Sequence, residues 1–221
     1  MAVRLTGLSV SVYTRIARLM LAERGIDYEL VEIDPFAGTD ATLLDLNPLH
    51  TVPVLNHDGF ILHETSAILR YLETAFDGVS MVPNGAKPLA RMAQVISIVD
   101  SHGYWPMVRQ VFAQRIFAPL HGEPVNEEMI AEGLRRVAPV LQSLERIAGE
   151  GLALNGGSVT LADLHLGPMV GYFQQAPEGQ EMLAQHKALS NWWGWFRERP
   201  AFQAVDRPVG PGGLASPPKR L

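Results

Sequence analysis

The chain has 221 residues, 47% of them hydrophobic and 19% charged, so it is long enough for two domains with apolar cores. Its formal net charge of −5 argues against a nucleic-acid-binding protein, which needs a basic surface. The absence of cysteine excludes mechanisms based on a protein thiol, a disulfide or a zinc–thiolate site. Neither a membrane-spanning stretch nor a signal peptide is indicated, and a cytoplasmic protein is expected.

The first part of the chain alternates between strand and helix patterns. Period-two alternation predicts strands at 3–6 and 28–33, and helical spacing between them predicts a helix over 13–24. This order is typical of a parallel βαβ unit. The remaining predicted elements follow in chain order: a short helix at 42–46, a strand at 52–55, a turn at 57–59, an antiparallel strand at 60–62 and a helix at 65–75.

The composition changes after residue 78. Residues 77–87 hold two glycines and a proline with few core residues, which indicates an interdomain linker. Long helical patterns follow at 89–117, 127–148, 161–174 and 187–199. Pro106 should kink the first of these helices. We therefore expect domains at 1–78 and 86–206, and a mobile Pro/Gly-rich tail at 207–221.

Three local sequences, in this order and at these spacings, resemble the soluble glutathione S-transferases over about residues 3–205. Residues 11–18 (SVYTRIAR) are similar to the serine-bearing loop and first helix of the theta, zeta, phi and tau types. The second and third are NPLHTVPVL at 47–55, followed by ETSAI at 64–68, and SVTLAD at 158–163. The resemblance is closest to bacterial members of the serine type. It implies an α/β thioredoxin-like N-terminal domain with a mixed four-stranded sheet, which binds glutathione, and an all-α C-terminal domain.

Glutathione presents an ammonium, two carboxylates and a thiol on a peptide backbone. The resemblance implies a cis bond between Val52 and Pro53, which turns the Val52 backbone outward to pair with the ligand as an added strand. The alternative is an ordinary edge-strand proline. The Glu64 carboxylate can accept from the ammonium, and the helix N-terminus with Thr65 suits the γ-glutamyl carboxylate. The alternative is that Thr65 or Ser66 only caps its own helix.

His50 and Ser11 are the remaining candidates of the first domain. This domain has no lysine, so His50 is a candidate partner of the glycine carboxylate, although a plain exposed loop histidine is preferred. Ser11 matches the family's catalytic serine, whose hydroxyl favours the glutathione thiolate. The alternatives are a loop or N-cap role for Ser11, with Ser9 or Tyr13 as the local competitors.

In the helical domain, Tyr104, Val108 and Phe112 share one helix face. The resemblance implies that this helix borders a hydrophobic substrate site, and the alternative is that these side chains are core. Asp100, on the same helix, is a candidate contact to the glutathione of a partner subunit. Thr160 and Asp163 form a capping box, so we expect Asp163 to stabilise its helix and not to act as a catalytic acid.

The resemblance implies an enzyme that conjugates the glutathione thiolate to hydrophobic electrophiles, or reduces with it, in detoxification. Glutathione is then a co-substrate, no metal is expected, and the protein is a cytoplasmic homodimer without nucleic-acid or membrane partners. Two alternatives stay open: a glutathione-dependent isomerase of the maleylacetoacetate type, and a non-catalytic glutathione-binding protein.

Overall fold

The computed structural model describes residues 2–36 and 41–206, and this part of the chain divides into two compact units. One unit ends at Val79 and the other spans Ser80–Asp206. Met81, within the predicted linker, is buried, and its carbonyl oxygen accepts a hydrogen bond from the N–H of Leu161 at 3.1 Å. The end of the predicted linker therefore belongs to the helical unit. The predicted tail at 207–221 lies outside the described residues.

The first unit is a thioredoxin-like domain with a mixed four-stranded sheet, as predicted. Its elements are β1 (Val3–Gly7), α1 (Val12–Glu23), β2 (Glu29–Glu32), α2 (Ala41–Leu46), β3 (Val54–His57), β4 (Phe60–His63) and α3 (Thr65–Ala75). The strand order is β2-β1-β3-β4, with β1 and β2 parallel and the other pairs antiparallel. The predicted βαβ unit and the hairpin between β3 and β4 are confirmed.

Apolar stripes on two helices, together with buried residues of β1 and β3, form the core of this unit. Helices α1 and α3 pack against each other, and the buried residues of each recur at helical spacing. The tight turn between β3 and β4 has Asp58 at φ 49° and Gly59 at φ 91°, the left-handed conformations of a type I′ hairpin turn. The expected strand at 52–55 is corrected: β3 begins at Val54. Pro53 has no N–H to donate, so it cannot extend the ladder.

The second unit is entirely helical in its described residues, as predicted. Its segments are α4 (Ala86–Ile98), π1 (Val99–Gly103), π2 (Trp105–Phe117), α5 (Ala118–Leu120), α6 (Glu127–Glu150), α7 (Leu161–Phe173), α8 (Pro177–Ala184), α9 (Lys187–Arg197) and α10 (Pro200–Val205). Every residue of α7 is buried, so this helix is the centre of the unit. Helices α8 and α10 were not predicted, because each is too short for a clear helical period.

The predicted helix at 89–117 is helical throughout but changes type. The backbone is π-helical, with i to i+5 hydrogen bonding, over Val99–Gly103 and Trp105–Phe117, and Tyr104 between them has right-handed helical angles. Pro106 lies at the start of π2, where its missing N–H removes a donor. None of the helices described in 2–36 and 41–206 combines the length and hydropathy needed to cross a membrane.

Candidate active site

Three segments of the thioredoxin-like unit leave its sheet at one edge. The last residue of β1, Gly7, pairs with the last residue of β2, Glu32. On the other side of β1, Thr6 pairs with Val54, which in turn pairs with His63. The loop to α1, the segment before β3 and the start of α3 therefore adjoin the same edge. The candidate residues on these segments are Ser11, His50, Val52, Pro53, Glu64 and Thr65.

Ser11 is the N-cap of α1. Its backbone is extended, and its Oγ accepts a hydrogen bond from the N–H of Thr14 at 3.5 Å. This contact uses a lone pair of the oxygen and leaves the hydroxyl proton available for donation. The capping alternative is therefore correct in structure, and it does not conflict with a hydroxyl that donates to a ligand.

The loop before Ser11 is held by its backbone. The N–H of Ser11 donates to the carbonyl oxygen of Leu8 at 2.8 Å, which closes a tight turn. The N–H of Ser9 donates to Oε2 of Glu32 at 2.9 Å, and the Ser9 carbonyl oxygen accepts from Nη1 of Arg18 at 3.4 Å. Ser9, the serine competitor of Ser11, thus has two fixed peptide groups.

The start of α3 has no side-chain cap. The N-cap residue is Glu64 rather than Thr65 or Ser66, so the alternative that one of those hydroxyls caps the helix is not supported. Glu64 makes no capping hydrogen bond, and its backbone has φ 70° and ψ 114°, a conformation that non-glycine residues rarely adopt. The Glu64 side chain is 64% exposed, whereas Thr65 is buried. The first N–H groups of α3 therefore have no side-chain acceptor, and they lie beside an exposed carboxylate.

The loop before β3 is organised by Asn47. The buried Asn47 amide donates to the carbonyl oxygen and to Oγ1 of Thr51, both at 2.9 Å, and its Oδ1 accepts from the N–H of Leu49 at 3.0 Å. His50 lies in this loop with φ 54° and is half-buried, which corrects the preferred reading of a plain exposed histidine. Its Nε2 is buried and has no hydrogen-bond partner among the described residues.

Val52 and Pro53 follow this loop. The peptide bond between them is cis, as the resemblance implies. Pro53 is buried and Val52 is half-buried. Since the ladder of β3 ends at Val54, the Val52 backbone lies beyond the paired part of the strand.

The three aromatic and aliphatic candidates of the helical unit differ in exposure. Val108 and Phe112 are buried, and the ring of Phe112 stacks on Tyr172 at 4.1 Å between centroids. This contact favours the core alternative for Phe112. Tyr104 is half-buried, and burial raises the pKa of its phenol, while Arg109 acts in the opposite direction.

Two acidic residues of the helical unit have partners within it. Oδ1 of Asp100 lies 3.3 Å from Nδ1 of the buried His165. Oδ2 of Asp163 accepts from the N–H of Thr160 at 2.7 Å and from its hydroxyl at 2.5 Å, and Oδ1 accepts from Nε1 of Trp192 at 2.7 Å. Burial raises the pKa of Asp163, and the hydrogen bonds from Thr160 and Trp192 oppose that shift. The predicted capping box is confirmed.

Several residues near the site were missed from the sequence. Glu32, Arg18 and Asn47 act on backbone groups of loops that the motifs pass through. Arg15 is 2% exposed and follows Ser11 by one turn of α1. Spacing on the helix could have drawn attention to the two arginines, but no local pattern connects Glu32 to Ser9. No group of three or more His, Asp or Glu side chains in residues 2–36 and 41–206 is arranged to hold a metal ion.

Comparison with known proteins decides the family. Residues 5–80 match the family model described as glutathione S-transferase, N-terminal domain, and residues 127–198 match the corresponding C-terminal domain. Glutathione S-transferase F13 of Arabidopsis thaliana is 30% identical over 209 residues, which cover 93% of this chain and 95% of that protein. The chain belongs to the glutathione S-transferase family.

Further relatives of this transferase agree in sequence and in fold. Glutathione S-transferase 1 of Triticum aestivum is 30% identical, with 87% of this chain and 89% of that protein covered. The solved structure of glutathione S-transferase III in its apo form has a TM-score of 0.82 and 26% identity, covering 93% of this chain and 95% of that one. Both sequence relatives named here are plant proteins, so they do not support the expected likeness to bacterial members. This enzyme therefore has the activity that its family name states: it transfers glutathione to a substrate through the sulfur atom of glutathione.

Proposed function

We propose that this transferase is of the serine type and that Ser11 donates a hydrogen bond to the thiolate of bound glutathione. The observation that carries the proposal is the Ser11 hydroxyl at the N-terminus of α1, with its proton uncommitted by the cap. A thiol has a pKa of about 8.5, so little thiolate exists at neutral pH without such help. The partial positive charge of the α1 N-terminus favours the anion as well.

Glutathione is held at the neighbouring segments of the same sheet edge. The open N–H groups at the start of α3 and the Thr65 hydroxyl bind the γ-glutamyl carboxylate, and the exposed Glu64 carboxylate accepts from the ammonium. The backbone of Val52, next to Pro53, pairs with the cysteinyl residue. His50, whose Nε2 has no hydrogen-bond partner among the described residues, binds the glycine carboxylate.

The co-substrate is a hydrophobic electrophile, and the reaction is conjugation at carbon or reduction of a peroxide. The sulfur of the thiolate attacks the electrophilic centre and the leaving group departs with the bonding electrons. Tyr104 is the best-supported side chain for the hydrophobic site, because Val108 and Phe112 are buried. Detoxification in the cytoplasm is the role that fits this chemistry.

The decisive experiment is titration of thiolate absorbance with glutathione bound. Ser11→Ala should raise the thiol pKa and slow conjugation of a chloro-nitroarene, while glutathione affinity stays nearly unchanged. Ser9→Ala is the matched control, because Ser9 contributes its backbone and not its hydroxyl to the described contacts. An unchanged titration and turnover in Ser11→Ala would remove Ser11 from the mechanism.

The same assays separate the alternative functions. A glutathione-dependent isomerase would convert a cis-dienoic diketo acid of the maleylacetoacetate type without net consumption of glutathione. A non-catalytic binding protein would bind glutathione in calorimetry and turn over neither substrate.

A homodimer with twofold symmetry is the assembly we propose, because such dimers are the commonest soluble oligomers. Light scattering across working concentrations should give twice the mass of one chain. A mass of one chain would refute the dimer and, with it, any contact of Asp100 to a partner subunit's glutathione.

A further inference from the structure

We infer that Glu32 and Arg18 are positioning residues for Ser11, and that they act by clamping the two peptide groups that flank Ser9. The inference rests on the proposed role of Ser11. It assigns a function in catalysis to a carboxylate at the end of β2 and to a guanidinium on α1, neither of which touches the reacting atoms.

The contacts of the clamp come from both sides of one residue. Oε2 of Glu32 accepts from the Ser9 N–H at 2.9 Å, and Nη1 of Arg18 donates to the Ser9 carbonyl oxygen at 3.4 Å. Arg18 is steadied in turn, because its Nε donates to the hydroxyl oxygen of Tyr28 at 3.1 Å. The contact to Glu32 has the length of a charge-assisted hydrogen bond, which is stronger than a neutral one, whereas the contact to Arg18 is longer and contributes less.

The clamped residue controls Ser11 through a short turn. Ser9 is the second residue of the turn that the hydrogen bond from Ser11 N–H to Leu8 oxygen closes. The strand that carries Glu32 is fixed in the sheet. Glu32 pairs with Gly7, and the N–H of Ile33 donates to the Gly7 oxygen at 3.2 Å. Fixing both peptide groups of Ser9 therefore fixes the position of the Ser11 backbone, and with it the direction of the Cα–Cβ bond that carries the hydroxyl.

The Ser11 carbonyl oxygen also accepts from the N–H of Arg15 at 2.9 Å, but the hydrogen bond of its side chain is too weak to orient the hydroxyl alone. Its Oγ lies at 3.5 Å from the Thr14 N–H, the long limit for a hydrogen bond. A serine side chain with so weak a cap contact can rotate about its Cα–Cβ bond, so its placement depends on how firmly the preceding turn is held. Since small misplacements of a catalytic group slow a reaction strongly, the clamp should matter for turnover more than for folding.

The test begins with Glu32→Ala. We expect kcat to fall about tenfold, the effect of one lost charge-assisted hydrogen bond on the barrier. The titration of bound glutathione thiol should move to higher pH, and KM for glutathione should change less than about twofold, because the groups that bind its carboxylates and ammonium are untouched. Glu32→Gln should restore most of the activity, because its amide oxygen can still accept from the Ser9 N–H.

Glu29→Ala is the matched control on the same strand. Glu29 is also exposed, and its Oε2 lies at the same distance, 2.9 Å, from Nε of Arg4, away from the Ser9 turn. Its replacement should leave both the titration and kcat unchanged. Arg18→Met tests the other side of the clamp, and we expect it to lower kcat as Glu32→Ala does. Tyr28→Phe should have a smaller effect, because it only loosens Arg18.

The double variant Ser11→Ala/Glu32→Ala tests whether Glu32 affects turnover through Ser11. If Glu32 acts through Ser11, adding Glu32→Ala to Ser11→Ala causes little further loss. A full tenfold loss in that background, or wild-type behaviour of Glu32→Ala alone, overturns the clamp and leaves the proposed role of Ser11 intact. Wild-type behaviour of Ser11→Ala alone overturns the role of Ser11 and the clamp with it.

Discussion

Two helices of this transferase begin beside an acidic side chain, and the two helix N-termini are built differently. At the start of α7, Asp163 is 1% exposed and its two oxygens accept three hydrogen bonds, from Thr160 and Trp192. At the start of α3, Glu64 is exposed, makes no cap and has a left-handed φ of 70°. The first N-terminus is satisfied within the protein, and the second leaves donors and a carboxylate open to a ligand.

The difference shows how to read an acidic residue at a helix start. An acid that fills its hydrogen-bonding capacity inside the chain stabilises the fold. In the proposed function, an acid that leaves this capacity open, on a backbone with an unfavourable conformation, serves ligand binding at the expense of local stability. We therefore expect that removing the acidic side chain lowers the stability of the fold at α7 and lowers the affinity for glutathione at α3.

The largest expected effect is on stability. Asp163→Ala should lower the free energy of unfolding of the helical unit by about 3–5 kcal/mol, because the cap is lost and the N–H groups of Thr160 and Trp192 remain buried without acceptors. Tryptophan fluorescence in a denaturant series measures this cleanly, since all four tryptophans lie in Ser80–Asp206. Activity per folded molecule should be unchanged below the transition. A loss below 1 kcal/mol would show that the box is dispensable.

The second effect is on binding. Glu64→Ala should weaken glutathione affinity by about 1–3 kcal/mol, the range for a charge-assisted hydrogen bond. Calorimetry measures the affinity, and Arg70→Ala on the same helix is the control, because the Arg70 side chain is exposed. Unchanged affinity in both Glu64→Ala and Thr65→Ala would contradict the placement of glutathione at α3.

The contrast between these helices also shows what sequence could predict. The capping box at α7 was predicted because its two residues are three positions apart, and the bounds of α3 were predicted from its apolar stripe. The open cap at Glu64 was not, because neither glycine nor asparagine marks its positive φ. The contact between Ser9 and Glu32 joins residues 23 positions apart, and only the parallel pairing of β1 and β2 brings them together.

The third prediction distinguishes the effect of the Glu64 backbone on stability from the effect of its carboxylate on glutathione binding. Glu64→Gly and Glu64→Ala both remove the carboxylate and should weaken glutathione binding alike. Only glycine relieves the conformation at φ 70°, so the glycine variant should be about 1 kcal/mol more stable than the alanine variant. Thermal unfolding followed by circular dichroism compares them, with Ser66→Gly as a control that should be destabilising. Equal stability of the two Glu64 variants would mean that the backbone there carries no strain.

The smallest effect concerns pH and tests the physical account of Asp163. Because burial raises the pKa of Asp163, the folded state holds its proton more tightly than the unfolded state does. Asp163 therefore contributes stability that is fully present below the unfolded pKa of about 3.9 and is lost as pH rises through the folded value. Asp163→Asn lacks this titration, so the stability of the wild type relative to Asp163→Asn should grow on acidification from pH 7 towards about pH 4. Denaturant series at each pH, followed by tryptophan fluorescence, give this difference directly, because all other titrating groups are shared. A difference that shrinks on acidification would mean that the hydrogen bonds from Thr160 and Trp192 outweigh burial and hold the pKa below its ordinary value. The cap would then stabilise α7 as a carboxylate, and the penalty for burying its charge would be smaller than the gain from the three hydrogen bonds it accepts.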